Sequence, residues 1–129
     1  MNDRPHAAEL LRAAREAVSS EILPSLPESL RYTGLMVANA IAIAERELAS
    51  GDAAAHAECE RLRSLLADRA QPVAGSALAE KLARYNQCLA AEIRAGRYDG
   101  AERAALLEHL RQTTREKLAI SNPRALQGR

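Results

Sequence analysis

The segment from Leu35 to Ala44 constrains this chain more than any other. Its residues are apolar apart from Asn39, and no alternation of polar and apolar positions marks an exposed face. The segment is about half as long as the roughly 20 apolar residues that a helix needs to cross a bilayer. Because a helix that is apolar on every side must be surrounded by protein, this segment predicts a buried helix at the centre of a bundle.

The composition favours an all-α fold around that helix. The 129 residues include 28 Ala and 18 Leu but only 3 Val, 5 Ile and no Phe or Trp, so helix formers dominate over strand formers. With 47% hydrophobic and 27% charged residues, the chain can bury a modest core. No repeat or linker divides it. We therefore expect one domain over residues 1–129, a single helical bundle of about five helices with a central apolar helix.

Caps and helix breakers give the expected boundaries of these helices. The proline corner Leu23–Pro27 separates the first helix from the second, because proline disfavours helical geometry in the residue before it. A loop is expected at Arg69–Gly75, and the third helix is expected to be shorter and more exposed than the second. The expected helices begin at Asp3, Glu28, Asp52, Ser76 and Asp99 and end before Pro24, at Ala49, near Asp68, at Gly96 and near Pro123.

The helical spacing of apolar residues predicts which sides of the later helices are buried. On the third helix it places Leu62 and Leu66 inward and Arg61 outward. On the fifth helix, Asp99 and Glu102 have the spacing of a capping box. The residues expected to face inward on that helix are Leu106, Leu107, Leu110, Thr114 and Leu118.

Charge and cysteine content exclude several classes of protein. A formal net charge of +1 does not create the broad positive field of a nucleic-acid-binding protein, so nucleic acid is not an expected partner. Cys59 and Cys88 are too few for a disulfide framework, and the N-terminal residues lack the apolar core of a signal peptide. The expected location is the reducing cytoplasm, without membrane attachment.

Asn39 is the first candidate for a functional polar residue. An amide buried in an apolar helix must find hydrogen-bond partners or cost about 1–3 kcal/mol of stability. We favour a structural bond between helices that fixes their register, as buried Asn does in coiled coils, over a ligand or partner contact. Tyr32 and Arg46 lie seven residues before and after Asn39 on nearly the same face, so the three could form a polar seam. Alternatively, Arg46 pairs with a nearby glutamate at the surface.

The sequence contains no recognised catalytic or nucleotide-binding motif. It lacks a glycine-rich nucleophile elbow, a phosphate-binding loop and the Glu-x-x-His pairs of di-iron bundles. His56 and Cys59 are three residues apart and Glu60 lies near them, but this spacing supplies only half of a zinc site. We therefore expect a non-catalytic protein without a cofactor, with both cysteines as apolar fillers. A metal-dependent enzyme built on His56 and Cys59 is the weakest alternative.

Three strings carry a family resemblance: Arg4–Leu11, Val37–Leu48 and Lys117–Arg124. Together they resemble a family of small bacterial all-helical proteins of unknown function, encoded beside aminoglycoside-phosphotransferase-like kinases and acyl-CoA dehydrogenases. The resemblance implies a non-catalytic companion of such a kinase, which would phosphorylate the hydroxyl of a hydroxyacyl-CoA on the way into β-oxidation. The residues that it implies as structural or partner contacts are Asn39, Arg46, Lys117, Asn122 and Arg124.

The sequence leaves open an alternative function, the role of the C-terminal segment and the oligomeric state. The main alternative function is a free-standing bundle that binds a small molecule of the acyl-CoA type, with Asn39 and Arg46 in an internal cleft. The basic C-terminal segment around Lys117 either docks a partner or only complements the helix dipole, and the second reading is favoured. Because a small alanine-rich bundle has a limited core volume, a homodimer is also open.

Overall fold

The computed structural model describes residues 3–70 and 75–128, and within these ranges it is all-α. The five helices expected from the sequence are confirmed, with no strand in the described ranges. They are α1 (Ala7–Ala17), α2 (Glu28–Ser50), α3 (Ala53–Leu66), α4 (Leu78–Arg94) and α5 (Arg103–Ser121). None of these helices has the length and apolar character that a membrane span requires.

The chain forms two compact units. The first contains the residues up to Gly51 together with Ile120–Asn122, and the second contains Asp52–Ala119 together with the residues from Pro123 onward. Gly51 ends α2 with a φ of 58°, in the left-handed region that glycine adopts at low cost, as its position predicts.

The first unit is built on the α1–α2 hairpin. A π-helical turn (Val18–Ile22) and a 3₁₀ turn (Leu23–Ser25) continue α1 to the proline corner. At this corner the chain packs so closely on α2 that a Cβ on Gly34 would lie 2.6 Å from a methyl group of Leu26. Gly34 is the only described residue of α1 and α2 that is buried. The hairpin therefore has no buried apolar side chain of its own.

The second unit contains the hydrophobic core. Leu62 and Leu66 of α3 are fully buried, and residues from α4, α5 and the loop between them pack around them. The buried core residues are Cys59, Leu62, Leu66, Tyr85, Leu89, Tyr98 and Leu106. Leucine packing at helical spacing thus compensates for the missing Phe and Trp, and Cys59 is an apolar filler as expected.

Several helix starts differ from the expected ones. Helix α1 begins at Ala7 and not at Asp3, because the carboxylate of Glu9 accepts the His6 backbone N–H at 2.8 Å and closes the first turn there. Helix α5 begins at Arg103 and not at Asp99, since Glu102 pairs with Arg97 at 3.6 Å instead of completing a capping box. Residues 71–74 of the expected Arg69–Gly75 loop lie outside the described residues.

The order of burial is the reverse of the expected one for α2 and α3. The sequence predicts a buried α2 and an exposed α3, but α3 supplies the centre of the core while most of α2 is exposed. On α5 the buried positions are Leu106, His109 and Thr113, whereas Leu107, Leu110 and Thr114 are exposed. Apolar content alone was misleading because, within its unit, α2 packs against α1 and the two turns that follow α1, which leave its other sides in solvent.

Candidate interaction surface

Helix α2 exposes two sets of residues on opposite sides. Val37 and Leu48 lie 7 and 18 residues after Leu30, close to two and five whole helical turns, so the three share one side of α2. Each of them is about half exposed. We call these three residues the apolar stripe. Tyr32, Asn39 and Arg46 form the polar seam on the other side, flanked by Leu35, Met36 and Ile43. Large apolar side chains left in solvent along one helix are typical of a protein-binding surface.

The structure places two members of the polar seam at the surface. Tyr32 is 73% exposed and Asn39 is exposed as well, so the expectation that Asn39 is buried between helices is wrong. Leu23 and Leu26 of the proline corner cover the side of α2 that carries Gly34, away from Asn39. No helix of the described first unit therefore supplies the interhelical bond that the sequence predicted for this amide.

Arg46 is half-buried and bonds to the end of α5. Its Nε donates to the carbonyl oxygen of Ile120 at 2.6 Å. The last carbonyls of a helix have no partner within the helix, so the guanidinium satisfies one of them. This bond joins the Val37–Leu48 string to the Lys117–Arg124 string, 74 residues apart. No carboxylate of the described residues pairs with Arg46, which corrects the alternative of a surface glutamate.

Glu45, the neighbour of Arg46, pairs with α1 instead. Its carboxylate lies 2.8 Å from Arg15 Nε and 3.5 Å from Arg12 Nε. Hydrogen bonding from Arg15 is the main reason that the pKa of Glu45 is lowered from its ordinary value. A cavity of about 360 Å³ lies here, lined by Arg15, Ala42, Glu45, Arg46 and Ala49. Asn39 does not line it, so the structure does not place Asn39 and Arg46 together in an internal cleft.

The remaining candidate contacts, Lys117, Asn122 and Arg124, do not all belong to the same unit. Lys117 lies in the second unit, with its Nζ 3.9 Å from Glu58 Oε1. Asn122 is exposed just after α5, and Arg124 is exposed in the 3₁₀ turn Pro123–Leu126. The six residues predicted from the sequence are thus divided between the two units.

His56 and Cys59 acquire no further metal ligands. Cys59 is buried in the core, whereas His56 is exposed at a groove of about 1010 Å³ on the second unit. Among the described residues, no group of three His, Cys, Asp or Glu side chains could hold a metal ion. Within the described residues, the pair therefore remains half of a metal site.

A buried polar cluster between α3 and α5 was missed by the sequence analysis. Arg61 holds Glu116 with two hydrogen bonds of 3.0 and 2.6 Å and contacts Thr113 at 3.3 Å, so it does not face outward as expected. Glu58 is buried beside it and accepts a bond from Asn86 at 3.3 Å. The opposite charges of Arg61 and Glu116 lie 55 residues apart in sequence and in different helices, so they could not be paired from spacing alone.

His109 is buried inside this cluster, with no hydrogen-bond partner for Nδ1 among the described residues. Burial is the main cause that lowers the pKa of His109, and the charge of Arg61 adds to it. Lys117 acts in the same direction, whereas Glu58 and Glu116 oppose the shift. The imidazole is therefore held neutral in the folded chain more strongly than in the unfolded chain.

We expect stability to fall on mild acidification because of His109. Since its folded pKa lies below its unfolded value near 6.5, the unfolded chain binds more protons, and stability is lost as pH falls below about 6.5. His109 can change the free energy of unfolding by at most about 1.4 kcal/mol per pH unit. Urea denaturation between pH 7.5 and pH 5 measures it. His109→Leu should flatten the curve, whereas the exposed control His56→Gln should keep it; equal slopes in both would contradict the assignment.

Fold and surface together define an all-helical protein in which six of the twelve exposed large apolar residues of the described chain lie along one long helix. The chain belongs to a family described as a domain of unknown function (DUF6285), whose sequence profile matches residues 24–125. The match covers the proline corner and all of α2 to α5. No curated protein and no solved structure matches the chain.

Proposed function

We propose that this chain is a non-catalytic interaction protein that uses α2 to bind a phosphotransferase-like kinase of acyl-CoA metabolism. The observation that carries the proposal is the apolar character of α2 combined with its exposure. Along one side of α2, Leu30, Val37 and Leu48 are each about half exposed. The resemblance of the three sequence strings supports the choice of a kinase as the partner.

The energetics of the first unit support a protein partner. The side chains packed between these two helices stay partly exposed, so the hairpin removes less apolar area from water, and gains less stability, than a core of fully buried side chains. Covering the apolar stripe with another protein would supply the missing burial. Aliphatic side chains at helical spacing fit a groove between helices of a partner, in the way that amphipathic helices bind.

The proposed division of labour leaves the chemistry to the kinase. The kinase would hold the nucleotide and transfer the phosphoryl group to the hydroxyacyl-CoA. This chain would stabilise it, since any partner that binds only the folded enzyme raises its stability by mass action.

The test is recovery of the kinase with a tagged copy of this chain from its native cells, followed by mass spectrometry and size-exclusion chromatography. We expect a stoichiometric complex with a phosphotransferase-like enzyme. Leu48→Lys should reduce its recovery at least about tenfold, as expected when a charge replaces an apolar residue of the interface. Leu110→Lys, an exposed leucine on α5, is the matched control and should leave recovery unchanged. Purification of the tagged chain without the kinase would contradict the proposal.

A further inference from the structure

The polar seam has the spacing of a coiled-coil interface. Together with two flanking residues, the seam forms a series along α2 with intervals of four, three, four and three residues: Tyr32, Met36, Asn39, Ile43 and Arg46. This alternation keeps side chains on one line facing a second helix. Tyr32 is 73% exposed, Met36 is about half exposed and Asn39 is exposed, so no described helix covers this part of the line. At its other end, Ile43 and Arg46 are half-buried, and Arg46 bonds to the end of α5.

The seam is symmetric about Asn39. Tyr32 lies seven residues before it and Arg46 seven residues after it, about 10 Å along the helix in each direction. If a second α2 packs antiparallel with the two-fold axis at Asn39, each Tyr32 meets an Arg46 of the other copy, and Asn39 meets its own equivalent. An isologous interface requires this reciprocal matching of residue positions.

The paired groups are also chemically complementary. The Nε of Arg46 is committed to Ile120, and the guanidinium has no carboxylate partner among the described residues. Its cationic plane can stack on the ring of Tyr32, an arrangement that arginine favours. Two Asn39 amides can donate to each other, as interfacial asparagines do in helix pairs whose register they fix.

We propose that a second copy of this chain binds the polar seam, forming an antiparallel α2–α2 dimer with its two-fold axis at Asn39. The inference rests on the proposed function only in that α2 binds protein. The apolar stripe lies on the other side of α2 and remains available to the kinase. Because the contact covers about four helical turns of one helix, its size is at the low end of specific interfaces, and a dissociation constant of about 1–100 μM is expected.

Introducing a positive or a negative charge at Tyr32 tests the pairing with Arg46. Tyr32→Arg places two cations opposite each other, and we expect it to raise the dimer dissociation constant at least about tenfold. Tyr32→Glu places a carboxylate opposite Arg46 and should retain the dimer. Sedimentation equilibrium over a concentration series measures both. Tyr32 is so exposed that neither variant disturbs packing in the folded chain, and circular dichroism checks this.

A disulfide at the axis tests the symmetry. Helix axes 8–10 Å apart bring the facing Cα atoms of the two residues 39 within disulfide range. Asn39→Cys should therefore give a covalent dimer under mild oxidation. Val37→Cys, on the apolar stripe, is the matched control and should remain uncrosslinked, as should the unchanged chain with its Cys59 and Cys88.

The outcomes separate this inference from the proposed function. A chain that stays monomeric at about 100 μM overturns the dimer, as do equal dissociation constants for Tyr32→Arg and Tyr32→Glu or crosslinking through Val37→Cys alone. A monomer that still recovers the kinase overturns only the dimer. A dimer that crosslinks at residue 39 but recovers no kinase overturns only the proposed function.

Discussion

Leu62→Ala will lower the free energy of unfolding of the second unit by about 2–5 kcal/mol. Leu62 has no exposed area, and the helices around it cannot close the space that its side chain leaves. The loss combines the transfer free energy of the deleted carbons with the cost of the cavity. Urea denaturation followed by circular dichroism measures the change as a shift of the transition midpoint.

Leu107→Ala is the matched control for Leu62→Ala. Leu107 is the same residue type in a helix of the same unit, but 37% of it is exposed. Its truncation removes less buried area and should cost less than about 1 kcal/mol. Equal losses for the two variants would show that Leu62 is not the centre of the core.

The second large effect is expected at the cluster of Arg69, Glu92 and Tyr98. Glu92 accepts the Arg69 Nε–H at 2.8 Å and the hydroxyl of buried Tyr98 at 3.0 Å. Burial raises the pKa of the Glu92 carboxyl, but the bonds from Arg69 and Tyr98 outweigh it, and the pKa lies below its ordinary value. Glu92→Ala removes both acceptors and should cost about 1–3 kcal/mol, the range for lost hydrogen bonds to charged groups.

Glu102→Ala provides the control for Glu92→Ala. Glu102 pairs with Arg97 at 3.6 Å, and both side chains are nearly half exposed. Solvent screens such a pair, so its loss should change stability by about 0–1 kcal/mol. Thermal unfolding of the two variants compares them directly. A Glu92→Ala protein as stable as the Glu102→Ala protein would contradict a structural role for the cluster.

The local features of the fold could be predicted from the sequence, because they depend on neighbouring residues. Glu28 and Gly51 predicted the beginning and end of α2 to within one or two residues. The apolar spacing also placed Leu62 and Leu66 correctly in the core. Helix spacing and caps act within a few turns, so one sequence contains the required information. The all-α class followed in the same way from the dominance of Ala and Leu.

Long-range pairing could not be predicted. The neighbours of α2 determine whether Asn39 is buried, and spacing along α2 does not say how many helices pack around it. The bond between Arg46 and Ile120 and the pair of Arg61 with Glu116 also join distant helices. Tyr98 gave no signal, since it lies in a turn and no apolar periodicity includes it. The seven-residue spacing of the polar seam was visible, but only its exposure makes it a surface for a second chain.

The bond between Arg46 and Ile120 has a consequence for the growing polypeptide on the ribosome. Its two residues are separated by 74 positions, so α3, α4 and most of α5 are synthesised between them. At about 5–20 residues per second, Arg46 is synthesised roughly 4–15 s before this acceptor. During that interval the exposed side chains of α2 are available to chaperones or to a neighbouring nascent chain. Assembly of the first unit is thus completed only after α3, α4 and most of α5 have been synthesised.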